Sequence, residues 1–242
     1  MKIGVKTFDN PKFLKNFENK VDFFEIMAAQ KNDYSFLKNF SLPIVIHAEH
    51  DKFGFNPADI SKKEFNMKAI KFAIKIADLS NAKKIIVHPG QIENKNCSIK
   101  NAINFFKEIN DKRILIENLP NSRNPNIIRL CQTPIQIKKF MKETGAGFCF
   151  DVNHALIGIK HFENYEFIEE YIKLNPNHYH IGGQRSLNGE THISFLNSDL
   201  NLKEILKYYP ENSEITLETE VDVEKTEEDL KIVRKVLKEL GK

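Results

Sequence analysis

At 242 residues, with 41% hydrophobic and 29% charged content, the chain suits one large domain better than two, and wholesale disorder or a fibrous repeat is excluded. Thirty-six Lys and Arg against 33 Asp and Glu leave a formal charge of +3, which excludes a polycationic nucleic-acid coat protein and confines any polyanion site to a local patch. Cys97, Cys131 and Cys149 are odd in number and form no C-x-x-C pair, so neither a disulfide framework nor a cysteine zinc site is expected. No apolar stretch approaches the roughly 18 residues that cross a bilayer, and Met1-Lys-Ile-Gly-Val-Lys enters a strand-like pattern directly, so the expectation is a cytoplasmic protein with no signal peptide or membrane span.

In chain order, a strand over Lys2 to Lys6 precedes a helix over Pro11 to Glu18, and a strand over Val21 to Ile26 precedes a short helix over Tyr34 to Lys38. A strand over Pro43 to His47 leads to the clearest helix, Ser61 to Ser80, where Phe65, Ala69, Phe72, Ala73 and Ile76 share one apolar face and Ser61 with Glu64 reads as a capping box. Strands over Lys84 to His88, Arg113 to Glu117 and Gly147 to Asp151 are followed by helices over Cys97 to Ile109, Thr133 to Glu143 and Phe162 to Leu174. The last two units pair strands His178 to Ile181 and Glu214 to Glu218 with helices Leu202 to Tyr209 and Thr226 to Leu240. Near-continuous apolar strands separated by helices signify a parallel sheet covered by helices, and eight such units point to an α/β fold, a single (β/α)8 TIM barrel over residues 1–242. No G-x-G-x-x-G or Walker pattern follows any strand, which removes support from the nucleotide-binding open sheets.

Chemistry in such a barrel sits where the strands end, on their C-terminal side. Seven of the eight apolar runs close in an acid or a histidine: Glu25, His47, His88, Glu117, Asp151, His180 and Glu218. Imidazoles and carboxylates converging without cysteine make a ligand field for Zn²⁺, Mn²⁺ or Fe²⁺, and divalent ions relieve the repulsion among the carboxylates. Asp151-Val-Asn-His154 adds an imidazole just past the sixth strand, and Glu190-Thr-His192 adds two groups on alternate positions of the loop after the seventh. A lone strand-end histidine is usually a hydrogen-bonded core residue and a lone glutamate usually a loop start; seven on one face are better explained by one shared cause. The role of Glu25 stays open. His178 is read as facing the helices, and His50 and His161 as ordinary surface or loop residues.

The ordered set Ile-His47-Ala, Val-His88-Pro-Gly, Ile-Glu117-Asn, Phe-Asp151-Val-Asn-His154-Ala, Tyr-His180-Ile, Glu190-Thr-His192 and Leu-Glu218-Thr resembles the xylose isomerase-like barrels, and most closely the endonuclease IV family of metal-dependent apurinic/apyrimidinic endonucleases. The resemblance runs over nearly the whole chain. It implies that Glu117 bridges two ions, one also held by His47 and His88 and the other by Asp151, His180 and Glu218, while His154, Glu190 and His192 hold a third. Up to three zinc ions are implied, with manganese as an alternative. The family has Asp where Glu190 stands, the span from His180 to His192 is short, and Ser-Phe-Leu-Asn-Ser-Asp replaces the usual G-E-G segment, departures that bear on substrate more than on metal.

The resemblance implies phosphodiester hydrolysis at abasic sites in DNA, with metal-bound hydroxide as nucleophile and Glu117 and Glu218 in catalytic positions. Arg123, Arg129, Lys52 and Arg185 are the residues to hold DNA, with Phe53 or Phe55 to wedge into the stack. The rival reading is a sugar isomerase or epimerase acting on a small sugar or sugar phosphate. There Glu117, Asp151, His180 and Glu218 hold one Mn²⁺, His154 and Arg185 bind substrate oxygens, and Glu117 and Glu218 move a proton. A third is a non-catalytic barrel that keeps metal for stability or serves as a binding module. Oligomeric state is left open.

Overall fold

The computed structural model describes residues 1–157, 165–185 and 190–242. Eight parallel strands close into a barrel: β1 (Lys2–Thr7), β2 (Phe23–Ala28), β3 (Ile44–Ala48), β4 (Ile85–Val87), β5 (Ile114–Glu117), β6 (Gly147–Asp151), β7 (His178–Ile181) and β8 (Glu214–Leu217). Each strand pairs with the next and β8 closes on β1, so the expected α/β TIM barrel is the observed fold. The helices are α1 (Pro11–Phe17), α2 (Lys63–Leu79), α3 (Ile99–Ile109), α4 (Pro134–Thr144), α5 (Val152–Leu156), α6 (Ile168–Ile172), α7 (Leu202–Leu206) and α8 (Val223–Glu239).

Strand periodicity sorts the side chains into two apolar layers. Ile26, Ile46, Ile85, Val87, Ile116, Phe148, Phe150 and Ile181 point outward into the core shared with the helices. Phe23, Val45, Ile86, Leu115 and Cys149 form a separate apolar cluster inside the barrel, the floor on which the polar strand ends stand. Ala69, Ile70, Ala73, Ile76 and Ala77 are buried along the inward face of α2.

Several expectations are corrected here. Residues two apart on a strand share a face, so His178 points into the barrel with His180, where its Nε2 bonds Thr216 Oγ1 at 2.8 Å. The capping box does not form. A 3₁₀ turn, Ile60–Lys62, precedes α2, and Asp59 Oδ1 caps that turn by accepting from Ser61 N at 2.9 Å and Ser61 Oγ at 2.6 Å. Phe65 is exposed rather than part of the buried face, and buried Asn66 takes the inward position. The predicted helix over Phe162 to Leu174 is seen as α6; its first three residues, and His161, lie outside the described residues.

Asn66 also builds the mouth of the barrel. It exchanges two hydrogen bonds with the backbone of Asn56, whose side chain bonds the backbone of Gln91 in turn. These bonds fasten the loop after β3, carrying His50 to Phe55, to a short antiparallel pair formed by Gln91–Ile92 and Ile128–Arg129. A second such pair, Gly183–Arg185 with Glu190–Ile193, stands over the end of β7.

Candidate metal centre

Two asparagine clamps fix the ends of the middle strands. Asn118 accepts from Asp151 N at 2.8 Å and donates to Asp151 O at 2.7 Å, joining β5 to β6. Asn153 accepts from Gly182 N at 2.7 Å and donates to Gly182 O at 2.9 Å, joining β6 to the end of β7. Asp151 caps α5 through Oδ1, which accepts from His154 N at 2.9 Å, and this turns His154 back over the mouth.

On this frame Glu117 sits between two groups of ligand atoms. Its Oε2 lies 3.1 Å from His47 Nε2 and 3.4 Å from His88 Nε2. Its Oε1 lies 3.1 Å from His154 Nδ1 and 3.6 Å from His180 Nδ1. His180 Nδ1 is also 2.9 Å from Glu218 Oε2 and 4.0 Å from Asp151 Oδ2. Three sets of donors thus converge: His47, His88 and Glu117; Glu117, Asp151, His180 and Glu218; and Asp151, His154 and His192.

The chemistry of these donors fits divalent cations. Asp151 Oδ2, His180 Nδ1 and Glu218 Oε2 are buried, turned toward one another, and make no hydrogen bond. Such atoms are costly to bury unless something completes them, and a cation does so for all three. The imidazoles are oriented from outside: His47 Nδ1 donates to Ala48 O at 2.7 Å, His192 Nδ1 to Glu218 O at 3.1 Å, and His180 Nε2 to Glu25 at 2.9 Å. A neutral ring so oriented leaves its other nitrogen the lone pair that a cation would take.

The electrostatics show the same crowding. Burial pushes His88 down to about 3 against the pull of Glu117, whereas Asp151 and Glu117 overcome burial at His154 and hold it at about 9. Burial opposes ionisation of Glu117 and Glu218, but His180 and His88 beside the first, and Lys6 and His180 beside the second, hold both carboxyls well below their ordinary range.

The cluster lines a cavity of about 650 Å³ whose wall includes His47, His88, His154, Glu190, His192 and Glu218. Lys52, Arg123 and Arg129 lie at its rim, Arg129 also 3.5 Å from Asp51. Glu190 stands outside the buried cluster: its side chain is 48% exposed and 3.4 Å from Arg185. Arg185, expected to bind substrate, donates to Asn197 O and does not line this cavity. Phe55 is buried 6.0 Å from Phe105 and is unavailable as a wedge, while Phe53 packs edge-on against His50 near the mouth.

Sequence reasoning missed Lys6 and undervalued Glu25 and His50. Lys6, only 10% exposed, closes the one run that ends in a cation, and that exception was the available signal. Glu25 lies beneath the site and accepts from His180 and Thr216. His50 is a cavity residue stacked on His88 at 5.1 Å, and His50, Asp51 and His88 form a further cation-sized group at the mouth.

Eight parallel strands closed into a barrel, with buried imidazoles and carboxylates gathered at the C-terminal mouth, define an α/β barrel with a candidate metal centre. The chain belongs to the xylose isomerase-like TIM barrel family, whose model matches residues 15–239. No curated protein matches it. Among solved structures it is similar to a D-tagatose 3-epimerase-like protein, 22% identical with a TM-score of 0.80 over 100% of this chain and 98% of that one. Endonuclease IV from Thermus thermophilus is 16% identical with a TM-score of 0.74, over 99% of this chain and 100% of that one. The TTHB071 protein from the same organism, soaked with ZnCl2, is 15% identical with a TM-score of 0.71 over 99% of both chains. At these identities the likeness shows the shared fold.

Proposed function

We propose that the protein is a metal-dependent phosphodiester hydrolase of the endonuclease IV type, acting on DNA at abasic sites. The observation that carries this reading is the position of Glu117, with one carboxylate oxygen facing His47 and His88 and the other facing His154 and His180. A bridging carboxylate between donor sets serves several ions; a site for one ion leaves His47 and His88 without a task. His47, His88 and Glu117 would hold one ion, Glu117, Asp151, His180 and Glu218 a second, and His154 and His192 with Asp151 or Glu190 a third, zinc being the metal that suits this donor set. When bound, such ions polarise phosphoryl oxygens and acidify water. Lys52, Arg123 and Arg129 at the rim supply positive charge to the flanking phosphates.

A second reading, a sugar isomerase or epimerase with one Mn²⁺, is favoured by the four-donor group of Glu117, Asp151, His180 and Glu218 and by a cavity sized for a small molecule. In it Glu117 and Glu218 move the proton between carbons. Metal analysis of the purified chain and cleavage of an abasic duplex decide between the two. Several zinc ions per chain, strand scission, and a loss of about 100-fold or more in Glu117→Gln support hydrolysis. A single manganese ion with no scission overturns it.

A further inference from the structure

Lys6, the penultimate residue of β1, points into the barrel and lines the cavity. Its Nζ donates to Glu218 Oε1 at 2.8 Å and lies 3.2 Å from Glu25 Oε1. The other oxygen of Glu25 accepts from His180 Nε2 at 2.9 Å and from Thr216 Oγ1 at 2.7 Å. His180 Nδ1 in turn faces Glu218 Oε2 at 2.9 Å. Lys6, Glu25, His180 and Glu218 therefore close into a ring drawn from four strands, β1, β2, β7 and β8, with Glu218 just past the last of them.

The ring decides which atoms remain to be used. Because Lys6 engages Glu218 Oε1, Glu218 presents Oε2; because Glu25 accepts the Nε2 proton of His180, His180 presents Nδ1. Those two atoms are among the buried ones that make no hydrogen bond. We propose that Lys6 is a positioning residue for the Glu117, Asp151, His180 and Glu218 group, acting with Glu25 to hold Glu218 in a one-oxygen attitude and His180 in its Nδ1-presenting tautomer toward a divalent cation. The inference rests on the metal-site reading given above. It goes beyond that reading in assigning a non-ligand residue the task of setting ligand geometry, in the way outer-shell partners of metal ligands do. A lysine suits the place because its three donors serve two carboxylates at once, and a neutral side chain leaves both buried acids without their shared partner.

The test uses the full chain stripped of metal by chelation and titrated with Co²⁺, whose visible absorption reports ligand geometry independently of turnover. Lys6→Met is expected to weaken the Co²⁺ step assigned to this group by about 10- to 100-fold and to change its absorption bands. Lys84→Met removes another partly buried lysine, paired with Glu214 at 2.7 Å below the floor, and is expected to titrate as the parent does. Should Lys6→Met fail to fold, Lys6→Gln, which keeps a donor for Glu218 without the charge, carries the same expectation. A Lys6 variant whose affinity and spectrum match the parent overturns the positioning role while leaving the metal site intact. A parent chain that takes up no Co²⁺ overturns the metal-site reading itself, and the inference with it.

Discussion

A methyl group on Gly182 would sit 2.4 Å from the carbonyl oxygen of Glu218 and 3.1 Å from the Cα of His192. Both are backbone atoms, so no change of rotamer relieves the overlap, and the clamp from Asn153 holds Gly182 in place. Gly182→Ala is therefore expected to cost about 1–3 kcal/mol in urea unfolding, the scale of an overpacked site. It should also lower metal uptake, because β8 and the hairpin carrying His192 must move apart. Parent-like stability would show that the strand ends are looser than these distances require. At the same scale, the strand-end acids and histidines were legible in the sequence because each is an ionisable residue at the end of an apolar run. The inner partners were not: Thr216 is an ordinary strand residue by type, and His178 reads as helix-facing until its two-residue spacing from His180 places it inside.

Helix starts show how local signals compete at the scale of elements. Ser61 and Glu64 have the spacing of a capping box, yet Asp59, two residues earlier, forms a tighter turn by accepting from both the backbone and the hydroxyl of Ser61. Its other oxygen accepts from Asn94 at 3.0 Å, so one buried aspartate both caps the 3₁₀ turn leading into α2 and ties it to the loop beyond β4. Asp59→Ala should cost about 1–2 kcal/mol, as a lost cap does, and Ser61→Ala markedly less; chemical denaturation of the two variants reads the difference. Equal losses would restore the box. The strands were legible because burial on both faces writes them as continuous apolar runs, whereas the pair at the rim between the loops after β4 and β5 depends on a partner far away in sequence. Gln91–Ile92 pairs directly with Ile128–Arg129 while the Asn56 side chain holds the backbone of Gln91, and no periodicity within either segment announces that.

Closing the sheet removes its edges, and the structural demand moves to the mouth, where Glu25, Glu117, Asp151 and Glu218 crowd together. Among the described residues Lys6 is the lysine within ion-pair reach of them, touching Glu25 and Glu218, and histidines supply the remaining positive charge. Asp151 Oδ2, His180 Nδ1 and Glu218 Oε2 are left there without a hydrogen bond, a cost that a bound divalent cation would offset. A ligand held by the folded state alone stabilises it by RT ln(1 + [L]/Kd), about 4 kcal/mol at a thousandfold excess over Kd, which for a chain of this size raises Tm by on the order of 10 °C. Zinc added to the chelated protein should produce a shift of that size, and EDTA should reverse it. Magnesium, which favours all-oxygen octahedral shells, should shift Tm far less, since each donor set includes imidazole. If the melting curve ignores zinc, or follows magnesium equally, the carboxylates are balanced by protons and Lys6 instead of by a transition-metal ion, and the mouth of the barrel is an ordinary ion-pair network.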